Sequence, residues 1–401
     1  MKSYALHLIL ILVIFLSNCS YLPAGKKKTN DSMNQFLLLA GLNQSPGFNW
    51  NLPAGFPIPS VPPENPISEA KVTLGRFLFY DKNLSNNQTQ SCSSCHLQSI
   101  AFSDGRSVGL GSTGEFHPRN PQALSNVAYM SVLTWANSNM KTLELQSRAP
   151  LFGISPIELG LTNDSYLDRF RNNSNYTKLF YDAFGGGLES INEQNIRFAL
   201  ASFQRTLISG NSAYDKYTYQ NNKTAMSASA IRGMNIFNGE TAECFHCHGG
   251  FNFADSTTHS FQSTNEIIYN DNGFKSLTEY NTLNDNQKGF YELSKNSSDI
   301  GKFRAPSLRN VAYTYPYMHD GSINCTNPPE AGIYSETCAR EALEKVVDHY
   351  SSGGKTPSNK DSTLIKGFSL TTQEKTDLVN FLLSLSDESF ITNKNFSNPN
   401  P

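Results

Sequence analysis

The chain contains Cys92-Ser93-Ser94-Cys95-His96 and, in its second half, Cys244-Phe245-His246-Cys247-His248. Both are copies of Cys-x-x-Cys-His, the attachment pattern of c-type haem. The two thiols add to the haem vinyl groups, and the histidine that follows binds the iron. Zinc ribbons pair their Cys-x-x-Cys knuckles within roughly 15–20 residues, and a redox Cys-x-x-Cys pair needs no histidine. The motifs therefore predict two covalently bound haems c, held by Cys92, Cys95, His96, Cys244, Cys247 and His248.

Length and charge set the broad class of protein. The 401 residues suffice for two domains, each with its own core and haem. The formal net charge is −2, so the composition gives no reason to expect a nucleic-acid partner. Only 16% of the residues are charged, while Asn, Ser, Tyr and Phe are plentiful. That composition suits an exported protein with long loops.

The N-terminus has the pattern of a targeting segment. Lys2 precedes an apolar run over residues 8–16 that is too short to span a membrane, which predicts a signal peptide over residues 1–18. Leu16-Ser17-Asn18-Cys19 resembles a lipoprotein processing box, in which Cys19 receives the lipid. We expect a membrane-anchored protein of the periplasm or outer cell envelope. The alternative is an ordinary signal peptide cleaved nearby.

The cysteine count predicts one disulfide. The chain has seven cysteines; four belong to the haem motifs and Cys19 is the predicted lipid site, which leaves Cys325 and Cys338. An exported chain folds in an oxidising compartment, where such a pair forms a disulfide. The alternative is two free thiols, which is less usual outside the cytosol.

Composition and motif positions also divide the chain into segments. Residues 19–66 are rich in proline and predict an extended tether that carries the lipid anchor. Residues 67–225 and 226–390 are the predicted N-terminal and C-terminal haem c domains. Residues 391–401 are predicted to form a flexible tail.

Apolar spacing predicts a mainly α fold, with two cytochrome c-like haem domains and long loops. A helix over residues 68–79 leads into the first motif, and one that begins near Ser227 leads into the second. Ser190-x-x-Glu193 and Thr371-x-x-Glu374 have the form of capping boxes and predict the starts of two more helices. No stretch shows sustained strand alternation.

Longer blocks of the sequence resemble the bacterial di-haem cytochrome c peroxidase family, including its MauG-type branch. The resemblance runs over residues 66–385. Five blocks carry it: Leu74-Gly-Arg-Phe-Leu-Phe-Tyr-Asp81, Arg119-Asn-Pro121, Pro156-Ile-Glu-Leu-Gly160, Phe303-Arg-Ala-Pro-Ser-Leu-Arg-Asn-Val311 and Tyr317-Met-His-Asp-Gly321. It implies an oxidoreductase of the cytochrome-c peroxidase type that acts on hydrogen peroxide.

By this resemblance the first haem is the peroxidatic one. Its chemistry needs an open iron position, a group that moves a proton between the peroxide oxygens, and a donor that orients the peroxide. Glu158 matches the family's acid–base residue, and Gln146, in Gln146-x-x-x-Pro150, matches its orienting amide. The stretch between them is two residues longer than in the family pattern. Without the resemblance, a surface glutamate and a structural glutamine are the simpler interpretation.

His117 lies in the loop where the peroxidase branch carries a histidine that caps the first iron at rest. It stands two residues before Arg119, closer than the family's capping residue, in a glycine-containing loop that we expect to be mobile. We favour the hypothesis that His117 is not a ligand and that the first haem is open at rest. Capping by His117 is the alternative.

The second haem is expected to be six-coordinate and to handle electrons. The peroxidase branch places a methionine on the helix after the His-Asp-Gly turn, whereas the matching position here is Tyr350, as in the MauG-type branch. Met318 is the main rival ligand, and His349 and His259 are further rivals. The simplest interpretation is that Tyr350 is an aromatic residue packed in the core and does not bind iron. Methionine raises the potential and favours Fe(II), whereas phenolate favours Fe(III). The ligand therefore bears on the kind of enzyme.

The resemblance also implies roles for residues between the two domains. Trp135 matches the tryptophan that relays electrons between the haems, with core packing as the alternative. Asn120, Thr314 and Pro316 match a calcium site made of one amide oxygen and two main-chain carbonyls. Oxygen ligands suit Ca²⁺, and so few of them imply that water completes the site.

These features predict a di-haem c-type peroxidase of the cell envelope that reduces hydrogen peroxide to water, with electrons passed from the C-terminal haem to the N-terminal haem. One alternative is a MauG-like oxidase that uses peroxide to oxidise a protein or organic substrate. Another is a non-catalytic di-haem electron-transfer lipoprotein. The sequence does not identify the electron donor, whether cytochrome, cupredoxin or quinol pool. The homodimer usual in the family has no signature in it.

Overall fold

The computed structural model describes residues 48–262 and 267–400, and these residues confirm the mainly α fold. Pairing between extended segments in this part of the chain is limited to isolated bridges. None of its helices is long and apolar enough to cross a membrane. The predicted signal peptide and Cys19 lie outside the described residues. In chain order the helices are α1 Glu69–Tyr80, α2 Leu143–Gln146, α3 Arg148–Phe152, α4 Leu167–Arg171, α5 Ser174–Phe184, α6 Glu193–Arg205, α7 Ala213–Thr218, α8 Ala228–Phe237, α9 Leu277–Asn281, α10 Tyr291–Ser294, α11 Glu336–Ser351, α12 Thr372–Leu383 and α13 Glu388–Ile391.

Side-chain caps fix the starts of three of the helices that lie next to the haem motifs or pack against them. Ser68, Ser227 and Thr371 precede α1, α8 and α12, and each accepts a hydrogen bond from the backbone amide three residues on. Glu374 completes the capping box with Thr371, as predicted.

The capping box predicted at Ser190 is wrong. Helix α6 begins at Glu193 behind Asn192, whose side chain accepts a hydrogen bond from the amide of Asn195. The Ser190 hydroxyl instead donates to the carbonyl of Gly187 in the preceding turn. Asparagine caps helices as well as serine does. Helix α6 therefore begins after Asn192, which lies nearer than Ser190 to the apolar residues of the helix.

In the N-terminal half, α1 crosses α6 with the two backbones in contact. A Cβ atom on Gly75 would lie 1.9 Å from the carbonyl oxygen of Ala199, so only glycine permits this approach. Leu74, Phe79 and Phe203 pack around the crossing in a buried apolar core. The crossing fixes the end of α1, from which the chain runs to the first haem motif (92–96).

The C-terminal half repeats the arrangement. Helix α8 crosses α12 at Gly233, where a Cβ atom would lie 1.9 Å from the carbonyl oxygen of Asp377. Phe237, Phe253 and Phe381 pack around this second crossing. Helix α8 ends shortly before the second haem motif (244–248). Each motif therefore follows a helix that packs closely against a second helix at a glycine.

The two halves share a further sequence element, Leu-x-Asn-Val-Ala-Tyr, at residues 124–129 and 308–313. In both copies the asparagine has a left-handed backbone, with φ of 58° and 61°, and precedes a 3₁₀ turn. Its amide donates to the carbonyl of Leu207, just after α6, or of Leu385, just after α12. The two halves therefore share one backbone arrangement. The residues next to the haem motifs do not show this duplication.

Residues 48–66, the described part of the predicted tether, are packed on the protein. The Phe56 ring contacts the rings of Tyr129 and Phe251, with centroid distances of 6.0 and 5.1 Å. The Tyr129 hydroxyl donates to the carbonyl of Pro57 at 2.7 Å. Proline excludes regular helix from this segment but leaves its apolar side chains free to dock.

The chain end, predicted as a flexible tail, lies against α1 over residues 391–400. Phe396 is buried in the N-terminal core. The Tyr80 hydroxyl donates to the Phe396 carbonyl at 2.7 Å, and the Arg76 guanidinium donates to the Ser397 carbonyl at 2.6 Å. The side chains that hold this segment lie on α1, near the other end of the sequence. The residues of the segment alone therefore do not predict that it packs on the protein.

The predicted disulfide between Cys325 and Cys338 is confirmed, with Cα atoms 5.0 Å apart. Its loop packs against residues that follow the first haem motif. A Cβ atom on Gly105 would lie 2.9 Å from the Gly332 amide nitrogen, and one on Gly332 would lie 2.7 Å from Leu97. The disulfide therefore holds a loop of the C-terminal half against the first haem segment.

Replacing both Cys325 and Cys338 with alanine should lower the free energy of unfolding by about 3 kcal/mol, because the bridge closes a short loop and limits the unfolded chain. Denaturant unfolding of the haem-loaded protein measures the change. The parent protein treated with a reductant is the matched control and should unfold like the variant. Equal midpoints for the variant and the untreated parent would contradict a stabilising role.

Candidate functional site

Both haem motifs begin in a 3₁₀ turn that keeps their two thiols close, Cys92–Ser94 in the first and Cys244–His246 in the second. The four thiols are half-buried and free of disulfides. Burial above all raises the pKa of Cys92 and of Cys244 to about 12. Burial therefore favours the protonated form of these thiols at neutral pH.

Backbone carbonyls hold each motif histidine by its Nδ1 atom. For His96 the carbonyl belongs to Phe102, at 2.8 Å; for His248 the carbonyls belong to Phe253, at 3.3 Å, and Pro306, at 3.1 Å. The Gln122 backbone also interacts with His96. Carbonyls only accept, so Nδ1 carries the proton and Nε2 keeps the lone pair that can bind iron. Burial lowers the pKa of both histidines, that of His248 to about 4, which keeps both imidazoles neutral.

A cavity of about 280 Å³ lies beside the second motif. Cys244, Cys247, His248 and Tyr350 line it together with many apolar side chains. Free thiols, a neutral histidine that presents Nε2 and an apolar cavity fit a covalent haem c. The first motif has the same turn, the same free thiols and the same hold on its histidine.

Glu158 lies beside the first motif. Burial raises the pKa of Cys92 and of Cys95, and the negative charge of Glu158 adds to both shifts. The Glu158 side chain keeps 41% of its surface accessible, yet protein surrounds it on most sides, so the carboxylate faces a recess. Loss of hydration in that recess raises the pKa of Glu158 to about 7. Near neutral pH the group can therefore both take up and release a proton.

The backbone around Glu158 is held from several sides. Ser112 donates its amide to the Glu158 carbonyl at 2.8 Å. The neighbouring Leu159 accepts from the Asn86 amide at 2.8 Å and donates to the Pro150 carbonyl at 2.9 Å. The acid–base candidate thus sits on a fixed backbone rather than on a free loop.

Gln146 is half-buried at the end of α2, directly before α3. Within the described part of the chain its side chain makes no hydrogen bond to Glu158, so its orienting role stays a prediction. His117 lies closer, with Nε2 3.8 Å from Glu158 Oε1. Sequence reasoning did not pair these two residues.

Two of the predicted ligands of the second iron lie on either side of Asn272, a residue that sequence reasoning missed. The Asn272 side-chain nitrogen is 3.2 Å from the Tyr350 hydroxyl and 3.4 Å from the Met318 sulfur, and all three residues line the cavity. Among the residues that the structure describes, neither His349 nor His259 contributes to this lining. Tyr350 and Met318 are therefore the candidates that the geometry favours.

Trp135 lines the same cavity, and its indole N–H donates to the Asn120 carbonyl at 2.8 Å. Asn120, Thr314 and Pro316, the predicted calcium ligands, line it too. The Asn120 side-chain nitrogen donates to the Arg106 carbonyl at 2.8 Å, which leaves the amide oxygen as the end available to a cation. The calcium site stays a prediction.

Gln122 and Arg304 connect the two haem sites and were not predicted. The Gln122 backbone interacts with His96, while the Gln122 side-chain oxygen accepts from the Arg304 guanidinium. Arg304 lines the second cavity, and its amide donates to the Trp135 carbonyl at 2.8 Å. Arg304 lies in the block over residues 303–311 that resembles the family, but such a resemblance does not predict which side chains are in contact.

The sequence and the fold of this chain are similar to those of known proteins. Residues 69–224 match the family described as di-haem cytochrome c peroxidase. Cytochrome-c peroxidase IdrP1 of Pseudomonas sp. (strain SCT) is 34% identical over 347 residues, covering 82% of this chain and 84% of that protein. Methylamine utilization protein MauG of Methylorubrum extorquens is 33% identical over 330 residues, covering 82% and 81%. A crystal structure of a MauG-like protein associated with microbial copper homeostasis has a TM-score of 0.79 and 39% identity, covering 88% of this chain and 99% of that one.

Replacing Cys244 and Cys247 with alanine should leave one covalently attached haem instead of two, because both thioether bonds of the second haem are lost. The Cys92/Cys95 double variant should likewise keep only the other haem. Intact-protein mass spectrometry under denaturing conditions counts the haems. The Cys325/Cys338 double alanine variant is the control and should keep two. Two haems on either motif variant would disprove the assignment.

Proposed function

This chain belongs to the di-haem cytochrome c peroxidase family, and on that basis we propose that it reduces hydrogen peroxide to water at the N-terminal haem site, with electrons supplied through the C-terminal haem. The observation that carries the proposal is the position of Glu158. Its carboxylate faces a recess beside the first motif, on a fixed backbone and with a pKa of about 7.

The residues that would hold the two haems are those of the motifs. Cys92 and Cys95 would form the thioether bonds of the first haem, and His96 would bind its iron through Nε2. When bound, that iron would supply the coordination position for peroxide and the electrons that reduce it. Protons and orientation must come from the chain itself.

Glu158 would move the protons. In its ionised form it takes a proton from one peroxide oxygen, and in its protonated form it returns that proton to the departing oxygen. Each hydrogen peroxide molecule also consumes two further protons and two electrons to give two water molecules. The accessible part of the Glu158 side chain, 41% of its surface, gives it the contact with solvent that this uptake requires. Gln146 would orient the bound peroxide.

Trp135 would carry electrons between the haem sites. Its indole lines the second cavity and donates to the Asn120 carbonyl at 2.8 Å. Two residues further on, the Gln122 backbone interacts with His96. Trp135 is thus linked to the first site through one hydrogen bond and a short piece of backbone.

The setting of the enzyme is proposed from the sequence. We infer export to the periplasm or outer cell envelope, with a lipid anchor at Cys19. A calcium ion held by Asn120, Thr314 and Pro316 would tie the two halves together at the wall of the second cavity.

A MauG-like oxidase is the second candidate function, and Tyr350 favours it. The Tyr350 hydroxyl faces the second cavity, 3.2 Å from Asn272. A phenolate ligand stabilises ferric iron, which would disfavour the reduced second haem that a peroxidase uses to deliver electrons. Loss of both ferric signals when peroxide is added to the fully oxidised protein would favour the oxidase. A need for prior half-reduction would favour the peroxidase.

Replacing Glu158 with glutamine should lower peroxide turnover by about 10²–10⁴-fold, because the amide cannot move the proton. Steady-state turnover with an artificial electron donor measures the effect. Glu64→Gln, at an exposed glutamate, is the matched control and should behave like the parent. Unchanged turnover in Glu158→Gln would show that Glu158 is not the acid–base group, whereas absent turnover in the parent would favour the non-catalytic electron carrier.

Replacing Tyr350 with phenylalanine should remove the low-spin ferric signal of the second haem, because the phenyl ring has no oxygen to bind iron. Electron paramagnetic resonance of the resting protein measures that signal. Met318→Leu is the matched variant on the other side of Asn272 and should keep it. Loss of the signal in Met318→Leu alone would identify methionine as the ligand.

A further inference from the structure

The loop over residues 109–119 is fastened to the Glu158 segment at its backbone. A Cβ atom on Gly111 would lie 1.8 Å from the carbonyl oxygen of Ile157, so the two backbones touch. The carboxylate of Glu115 accepts a hydrogen bond from the Ile157 amide at 3.1 Å. Together with the bond from Ser112 to the Glu158 carbonyl, these contacts make the loop and the acid–base residue one unit.

His117 is fixed within this loop in one tautomer. Its amide donates to the Gly109 carbonyl at 2.8 Å, and its Nδ1 accepts a hydrogen bond from the Arg119 amide at 3.1 Å. A backbone amide can only donate, so Nδ1 supplies the lone pair and the neutral ring carries its proton on Nε2. That Nε2 atom lies 3.8 Å from Glu158 Oε1.

We propose that His117 is a positioning residue for Glu158, to which it presents a fixed N–H donor, and that it does not bind the first iron. The inference rests on the proposed role of Glu158 at that haem. The distance exceeds that of a hydrogen bond, but catalytic contacts are often long before substrate binds and tighten in the complex. The N–H group favours the ionised carboxylate and directs one of its oxygens.

The same tautomer separates this arrangement from iron ligation. A neutral imidazole has one ring lone pair, and here the Arg119 amide occupies it. Binding iron through Nε2 would require the proton to move to Nδ1, where it would face the N–H of Arg119. The loop geometry therefore favours a donor to Glu158 over a ligand to iron.

The charges around the pair leave His117 neutral. The Arg119 guanidinium is paired with Glu292 at 2.6 Å, and Glu115 is held by the Ile157 amide. Burial first, and the Arg119 charge second, lower the pKa of His117. The neutral ring thus keeps its single N–H on the side of Glu158 across the neutral pH range.

The test compares His117→Leu, which removes the donor, with His117→Gln, which keeps an N–H group. Cyanide is the probe, because hydrogen cyanide must give its proton to a distal base as it binds ferric haem. In the parent protein the association rate should rise with pH through the titration of Glu158. In His117→Leu that rise should move about one pH unit higher, a roughly tenfold loss at lower pH, because the carboxylate has lost a donor. In His117→Gln it should stay within a few tenths of a unit of the parent.

Several outcomes would overturn the inference. One is a profile in His117→Leu that matches the parent. Another is a low-spin first haem in the resting parent that becomes high-spin in His117→Leu, because that result identifies His117 as a ligand. Failure of the proposed function looks different: peroxide turnover is absent in the parent or unaffected by Glu158→Gln, while the cyanide profiles still report on His117. His117 is half-buried at the protein surface, and His117→Gln guards against a folding defect in the leucine variant.

Discussion

A close crossing of two helices at a glycine is the contact on which each haem domain depends. Gly75 brings α1 against the carbonyl of Ala199, and Gly233 brings α8 against the carbonyl of Asp377. Helix α1 or α8 then leads into a Cys-x-x-Cys-His turn, so the crossing sets where the thiols emerge. Any larger residue at either glycine would separate the helices and displace the haem motif with them.

The partner helix of each crossing orients the motif histidine. A carbonyl just after α6 or α12 accepts from the asparagine of Leu-x-Asn-Val-Ala-Tyr, which holds that segment in place. Two residues before the second copy of this element, the Pro306 carbonyl accepts from His248 Nδ1, and at the matching place before the first copy the Gln122 backbone interacts with His96. The same chain of contacts therefore turns Nε2 of His96 and of His248 toward the haem. This explains why the proximal sides of the two sites are alike although the surrounding residues differ.

Local sequence predicts the parts of the molecule that local contacts determine. The haem motifs, the caps at Ser227 and Thr371, and the Cys325–Cys338 bridge each depend on a few residues of recognisable chemistry. Docking of residues 48–66 and 391–400 depends on partners far away in sequence, so composition alone suggested an extended tether and a flexible tail.

The candidate site shows the same limit. The sequence supplied Glu158, Tyr350 and Met318 through family-like blocks, but it could not show what lies next to them. Asn272 meets Tyr350 and Met318 only because three distant segments converge on the second cavity. His117 meets Glu158 because a glycine lets two loop backbones touch.

The difference between the two haem sites lies on their distal sides. At the first site a loop joined to the Glu158 backbone brings His117 beside Glu158, the proposed acid–base group, and both side chains remain partly accessible to solvent. At the second site Tyr350 and Met318, the candidate sixth ligands, line the cavity together with Asn272. Because the helical frame and the proximal histidines do not depend on these groups, the sixth ligand can change without disturbing haem attachment.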